Sequence, residues 1–182
     1  MRTVYPTGTT LYRPDRCCNG YSLIWARDRA ELIDMNAEIV HRWALDGDAV
    51  GLPACNVPRA KLLPDGCLLV LYGGETGGIV EYAWDGTVRW QYRQPGSFPH
   101  HDFCPRAGGN ILLINREEVP ASITCNIIDP AREDITIYAD AIVDVNRDRE
   151  IVWEWHLCHA LDINMHNPLP ASRDWWAGPD NN

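Results

Sequence analysis

The stretch that decides the fold is "GIVEYAWDGTVRWQY", residues 78–92. Short runs of apolar and β-branched residues flank Asp85-Gly86. A tight hairpin turn needs a residue at positive φ, which glycine supplies without steric cost. The stretch therefore reads as a β-hairpin. Two others follow its plan: "ELIDMNAEIVHRW", residues 31–43, and "AIVDVNRDREIVWEW", residues 141–155. Each runs from an apolar–x–acid start through a turn to an aromatic end. Asp34, Glu81 and Asp144 align in this reading, and so do Trp43, Tyr92 and Trp155. The 31–43 copy is shorter and bends at Asn36-Ala37, so a different turn is expected there.

A second unit interleaves with the first: "AKLLPDGCLLVLY", residues 60–72, and "DFCPRAGGNILLIN", residues 102–115. Both read as a strand, a Pro/Gly turn and a nearly continuous apolar strand, the pattern of a strand buried on both faces. "GGETGG", residues 73–78, lacks the Lys-Ser/Thr end of a phosphate loop and reads as a hairpin loop. Helical periodicity is hard to find, and Gly, Pro, Asn and Asp clusters punctuate the runs, so the chain reads as all-β. Hairpin pairs recurring at roughly 40–60 residues mark the blades of a β-propeller. The expected architecture is a single β-propeller domain over residues 1–182, built of four-stranded blades at approximately 20–58, 59–101 and 102–170. Three blades fall short of the roughly four to eight of a closed ring. A partial propeller is expected, or one completed in a homo-oligomer. The ending "DWWAGPDNN" reads as a segment cut within a loop.

With 182 residues, 46% of them hydrophobic, the chain can bury a core. A net charge of −9 and a pI of about 5.0 exclude nucleic acid and anionic membrane surfaces as partners. No apolar run reaches the ~20 residues of a membrane helix, and the start shows no signal-peptide core. Localisation stays open. The seven cysteines, Cys17, Cys18, Cys55, Cys67, Cys104, Cys125 and Cys158, form no C-x-x-C, and mostly buried free thiols are expected. No metal or cofactor is expected. His156, Cys158 and His159 lack a fourth ligand nearby, and the acids at 117–118 and 144–148 read as solvated turns. Trp90, Trp153 and Trp155 are expected to pack between blades.

Chemistry concentrates in "PGSFPHHDFCP", residues 95–105, which holds His100, His101 and Asp102. The pair reads either as a functional site or as loop residues, one satisfied by Asp102. Adjacent residues of a strand point to opposite faces, so at most one histidine is expected to face a channel.

In order, these stretches resemble the arylsulfotransferase family of β-propeller proteins. "YPTGTTLYRPDRCCNGYSL" looks like the family's lead-in. "ELIDMNAEIVHRWAL" and "AKLLPDGCLLVL" look like its first hairpins, and "IVEYAWDGTVRWQY", "HHDF", "GGNILLI" and "IVDVNRDREIVWEW" continue in its order. The likeness covers nearly the whole chain but about the first half of a family member. It implies sulfuryl transfer from an aryl sulfate to a phenolic acceptor through a histidine, without a nucleotide donor or cofactor. By resemblance His101 and His100 are assisting catalytic residues, and Asp102 and His159 bind substrate, with Asp102 able to fix a histidine tautomer. The family's closing loop has a histidine after Asp-Trp, whereas "RDWWAGPDNN" has none, and the nucleophilic histidine would lie beyond Asn182. The chain is expected to be incomplete for catalysis. The alternative is a non-catalytic binding or assembly module.

Overall fold

The computed structural model describes residues 8–52, 56–74, 76–93, 96, 98–128, 136–160 and 162–164. Cys55, Glu75 and the segment 173–182 lie outside the described residues. Among the described residues eleven strands form three antiparallel sheets, none closed into a barrel. The first sheet holds β1 (Ser22–Trp25), β2 (Arg29–Ile33) and β3 (Ile39–Ala44). The second holds β4 (Asn56–Leu62), β5 (Leu68–Gly73), β6 (Gly78–Tyr82) and β7 (Val88–Tyr92). The third holds β8 (Phe98–Pro105), β9 (Ile111–Glu118), β10 (Tyr138–Val145) and β11 (Ile151–His156). Strand order follows chain order within each sheet. Two single-turn helices, α1 (Ala121–Thr124) and α2 (Leu157–Ala160), decorate the third sheet's end. No helix among the described residues is long and apolar enough to cross a membrane.

One turn design closes five hairpins. In each, the first turn residue donates its N–H to a carbonyl four residues on, and its own carbonyl accepts from the residue three on. The left-handed position falls on Ala37, Gly66, Gly86, Gly109 and Arg149. This is the three-residue hairpin loop with a left-handed residue at its end. A side-chain oxygen often supports it: Asp34 accepts from the N–H groups of Asn36 and Glu38, Asp85 from that of Thr87, and Asn146 from that of Glu150. The expectation of a different turn at Asn36-Ala37 is thus corrected, because Ala37 takes φ 64° where Gly86 takes 85°.

The shared turn also corrects the alignment of the copies. Asp34 matches Ala83 and Asn146, the residues that open the turns, and not Glu81 and Asp144. Trp43, Tyr92 and Trp155 remain equivalent, as do His41, Trp90 and Trp153. By the same measure β1 matches β5 and β9: it pairs with β2 as β5 pairs with β6 and β9 with β10. The first sheet therefore has no counterpart of β4 or β8 among the described residues, three strands where four were expected.

Two cores separate the sheets. One joins first and second sheets through Leu32, Trp43, Leu52, Val70, Tyr72 and Tyr82. The other joins second and third through Leu69, Leu71, Ile79, Trp90, Phe103 and Leu113. Alternate residues of β5 feed the two cores, so the strand is buried throughout. Indole N–H groups tie neighbouring sheets: Trp43 donates to the Ala83 carbonyl at 3.0 Å, and Trp90 to that of Arg147 at 2.8 Å. Each acceptor lies in a hairpin turn of the next sheet. Glu81, buried beside Trp90, takes the Arg147 guanidinium from that same turn. A carboxylate read as part of a sequence repeat is thus an inter-sheet anchor. Gly78 permits the close approach of β7, since a Cβ there would meet the Tyr92 carbonyl at 2.5 Å.

The cysteine expectation is corrected. Cys67 is buried and Cys158 half-buried, but Cys17, Cys18, Cys104 and Cys125 are exposed. They sit in turns, in the lead-in segment or on an outward strand face, where no core is available. Likewise Trp90 packs between sheets, while Trp153 and Trp155 stand exposed.

Trp43 combines burial, an indole hydrogen bond and edge-to-face contacts with His41 and Trp84. Trp43→Ala is expected to cost about 3–5 kcal/mol and Trp43→Phe clearly less, read from urea unfolding midpoints. Equal losses would show that the core contact is not what ties the first two sheets.

Candidate functional site

The histidine pair lies where β8 departs from its ladder. Pro99 faces Asn115 and Phe103 faces Leu113, so His100, His101 and Asp102 together oppose Ile114. The two surplus residues form a bulge, and His101 adopts φ 59°. Left-handed backbone is costly for a non-glycine residue. The bulge breaks the side-chain alternation expected for the pair. Instead the His100 and His101 rings meet edge to face, with centroids 4.7 Å apart.

His100 is largely buried, with Nε2 3.2 Å from Asp140 Oδ1 on β10. Burial pulls its pKa below the ordinary imidazole value; Asp140 opposes the shift, and the neighbouring His101 and Arg116 reinforce it. A neutral imidazole at physiological pH is the result. His101 is exposed. Arg116 on β9 lies over Phe98 at 4.1 Å and Tyr138 at 4.7 Å, a guanidinium held between two rings.

Asp102 points elsewhere. Its Oδ1 lies 2.9 Å from Lys61 Nζ and 3.3 Å from Arg59 Nε, and it accepts the Phe103 N–H at 2.8 Å. Lys61 also donates to the Phe103 carbonyl. Burial opposes ionisation of Asp102, but the contacts with Lys61, the Phe103 N–H and Arg59 outweigh it and hold the carboxyl below its usual range. The expectation that Asp102 fixes a histidine tautomer is corrected: Asp140 is His100's carboxylate. The cause is tertiary. β4 touches β8, and Arg59 and Lys61 share the β4 face turned toward the third sheet.

His159 is not part of this group. It sits on α2 with its ring 5.3 Å from that of His156. His156 opposes Ala141, which puts it on the sheet face of Leu113 and Val143, whereas Asp140 and Arg116 lie on the other. His156 Nδ1 lies 2.6 Å from Glu117 Oε1, and Nε2 is 3.5 Å from Glu154 Oε1. The Glu117 hydrogen bond raises the His156 pKa above its ordinary value, burial opposes, and Glu154 adds to the rise. Glu117 and the buried Asp144, which holds Arg106, are therefore not the solvated turn acids expected of them. No group of three or more potential ligands is placed to hold a metal among the described residues.

Residue patterns alone pointed to His100 and His101 but missed Arg59, Lys61, Arg116 and Asp140. The alternation Arg59-Ala60-Lys61 was the available signal, since it sets two cations on one strand face. Nothing local links Asp140 to a histidine 40 positions earlier. Open clefts of about 380 Å³ beside Leu52 and Tyr72 and about 410 Å³ beside Tyr12 and Met35 include none of these groups.

No family model matches the chain, and no curated protein matches it. A crystal structure of a protein of unknown function from Bacteroides caccae is similar at 16% identity and a TM-score of 0.39. The match covers 75% of this chain and 57% of that one, so the chain spans less than two thirds of that protein's length. A likeness at this level says nothing about chemistry.

The two partnered histidines should titrate on opposite sides of the ordinary value of about 6.5. His100 favours the fold while neutral, so its contribution is present above about pH 6.5 and lost as pH falls through its lowered pKa. His156 favours the fold while charged, so its contribution is present below about pH 6.5 and lost as pH rises through its raised pKa. Imidazole NMR titration reads both. Glu117→Gln should lower the His156 pKa and Asp140→Asn should lower that of His100 further; a reversed order in the wild type would refute the assignment.

Proposed function

We propose that the three sheets are consecutive blades of a β-propeller, and that the first-strand region of the third blade contacts an aryl sulfate in an arylsulfotransferase-like protein. The blade reading is supported by the meander order, the face-to-face cores and the contact of β4 with β8, which sets the equivalent first strands of the second and third sheets side by side. The observation that carries the chemistry is the bulge. It gathers a neutral imidazole, an exposed imidazole and a nearby guanidinium on an acidic chain that otherwise repels anions.

The roles follow from charge. Sulfuryl transfer breaks the bond between sulfur and the aryl oxygen, and the departing phenolate needs a proton or a positive field. His101 and Arg116 present N–H groups to the sulfate oxygens. His100, neutral and oriented by Asp140, accepts a proton from the phenolic acceptor. The nucleophile that bonds to sulfur is, by the family resemblance, a histidine aligned beyond residue 182, so these groups assist and do not begin the covalent step. Arg59 and Lys61 with Asp102 leave one surplus positive charge at the neighbouring strand. A non-catalytic assembly module is the competing reading, favoured by the exposed Trp153 and Trp155.

Titration of 4-nitrophenyl sulfate into the chain is expected to shift the His100 and His101 imidazole resonances. Arg116→Ala should weaken binding about tenfold or more, as expected for loss of a charge-assisted contact. In a longer protein that turns over the ester, replacing both histidines by alanine should slow phenol release about 100-fold or more. Absence of any shift, or turnover untouched by the double substitution, would refute the reading for these residues.

A further inference from the structure

The lead-in segment before β1 holds Cys17 and Cys18, two thiols adjacent in sequence, free and exposed. Neither the sheet stack nor the histidine bulge uses them. The segment lies against the turn of the first sheet, where Thr9 Oγ1 donates to the Met35 carbonyl at 2.8 Å. From Arg13 to Asn19 it closes on itself. The Arg13 carbonyl accepts the Arg16 N–H at 2.9 Å and the Cys17 thiol at 3.1 Å. Asn19 donates to the Pro14 carbonyl at 2.9 Å and takes the Tyr12 hydroxyl on its side-chain oxygen. The Cys17 S–H is thus one of the bonds that hold this loop, and it exists only while the thiol is reduced.

The pair is unsuited to a structural cross-link. Successive Cα atoms stand about 3.8 Å apart across a trans peptide, against about 4.4–6.8 Å in ordinary disulfides. A bond between such neighbours encloses almost no chain, so it removes little freedom from the unfolded state. The strain it carries makes it easy to reduce. What adjacency supplies is speed: once one sulfur is in a mixed disulfide, the other stands beside it at high effective concentration. The neighbouring cleft of about 410 Å³ is lined by Arg13, Arg16 and Cys17. Its one carboxylate, Asp34, is already held by the N–H groups of Asn36 and Glu38. On a chain of net charge −9, two guanidinium groups beside an exposed thiol favour a reactant that carries carboxylates.

We propose that Cys17 and Cys18 are a reversible oxidation site for a low-molecular-weight disulfide bearing carboxylates, of the glutathione class. Cys17, its proton given up to solvent, attacks one sulfur of the reagent. The reagent's S–S bond breaks, one thiol leaves, and a mixed disulfide forms on Cys17. Cys18 then attacks the Cys17 sulfur, expels the second thiol and closes the Cys17–Cys18 bond. Two protein thiols are oxidised and one disulfide is reduced to two thiols, so electrons and protons balance. Oxidation removes the S–H donor from the Arg13 carbonyl and loosens the loop beside the cleft, while the Arg16 N–H and Thr9 contacts stay. The site depends on neither the blade reading nor sulfuryl transfer.

Oxidised glutathione is added to the reduced chain, and quenched samples are mapped by mass spectrometry. The peptide holding residues 17 and 18 is expected to lose two hydrogens and keep no adduct, ahead of any change at the exposed Cys104 and Cys125. Cys18→Ser should instead retain the glutathione adduct at Cys17. Amide exchange across residues 13–19 should quicken about threefold or more in the oxidised chain and in Cys17→Ala. It should stay near the reduced wild-type rate in Cys17→Ser, whose hydroxyl still donates to Arg13. Unchanged exchange in β2 and β3 certifies folding. An adduct that persists on the wild type overturns the inference, as does reaction no faster than that of Cys104 and Cys125, or exchange across residues 13–19 untouched by oxidation.

Discussion

β5 has no solvent face. Leu68 and Val70 point into one core while Leu69 and Leu71 point into the other, and this double burial organises the molecule. A strand of this kind cannot end a stack, because an apolar face left in water forfeits about 25 cal/mol for each Å² uncovered. A sheet must lie on each side of it. The first sheet covers one side with Trp43 and Leu32, the third the other with Phe103, Leu113 and Val143. The directional contacts follow from that stacking. Once the sheets lie face to face, the turn of each sheet reaches over the outer end of the one before, and the indoles of Trp43 and Trp90 find their acceptors there. The packing supplies the energy and the hydrogen bonds supply the register.

The same logic explains where polar groups could be buried. Glu81 survives inside the sheet stack because Arg147 arrives from the neighbouring turn and lies 5.2 Å from the Trp90 ring, so the guanidinium is both paired and covered. Tyr72 and Tyr82 answer each other at 2.7 Å in the opposite core, and burial raises the Tyr82 pKa. Asp102 is held by two cations from β4. In each case the partner comes from another element, so the polar group acts as a link between elements and its own strand only carries it.

This division marks what the sequence made legible. Hairpins are local, and their signals are local: Asp85-Gly86, Pro64-Asp65-Gly66 and Gly108-Gly109 fall at bends, and the continuous apolar run of residues 68–72 falls on the doubly buried β5, whereas that of residues 111–114 falls on β9, where Leu112 and Ile114 are only half-buried. The misreadings were of groups whose meaning is set at a distance. Asp34 and Glu81 looked alike as acids after apolar residues, yet one caps its own turn and the other anchors a neighbouring sheet. Ala37 and Arg149 hide a left-handed turn position that glycine advertises elsewhere. Residue type alone places the cysteines inside, whereas their exposure depends on which loops and strand faces remain uncovered. The bulge at His101 was invisible because it arises from the register on both sides of it, and neither side betrays a surplus of two residues.

The bulge in β8 carries the one positive-φ non-glycine residue among the described residues that no hairpin turn demands. Ala37 and Arg149 also adopt left-handed backbone, but in hairpin turns, where the chain reversal demands it. His101 adopts it inside a strand that could have continued its ladder without the two extra residues. The fold gains no reversal there and gives up ladder hydrogen bonds. What it obtains is two imidazole rings in edge-to-face contact, one largely buried beside Asp140 and kept neutral, the other exposed. β8 is an edge strand of the third sheet among the described residues, and a bulge there interrupts the row of unpaired backbone groups that would otherwise template another strand.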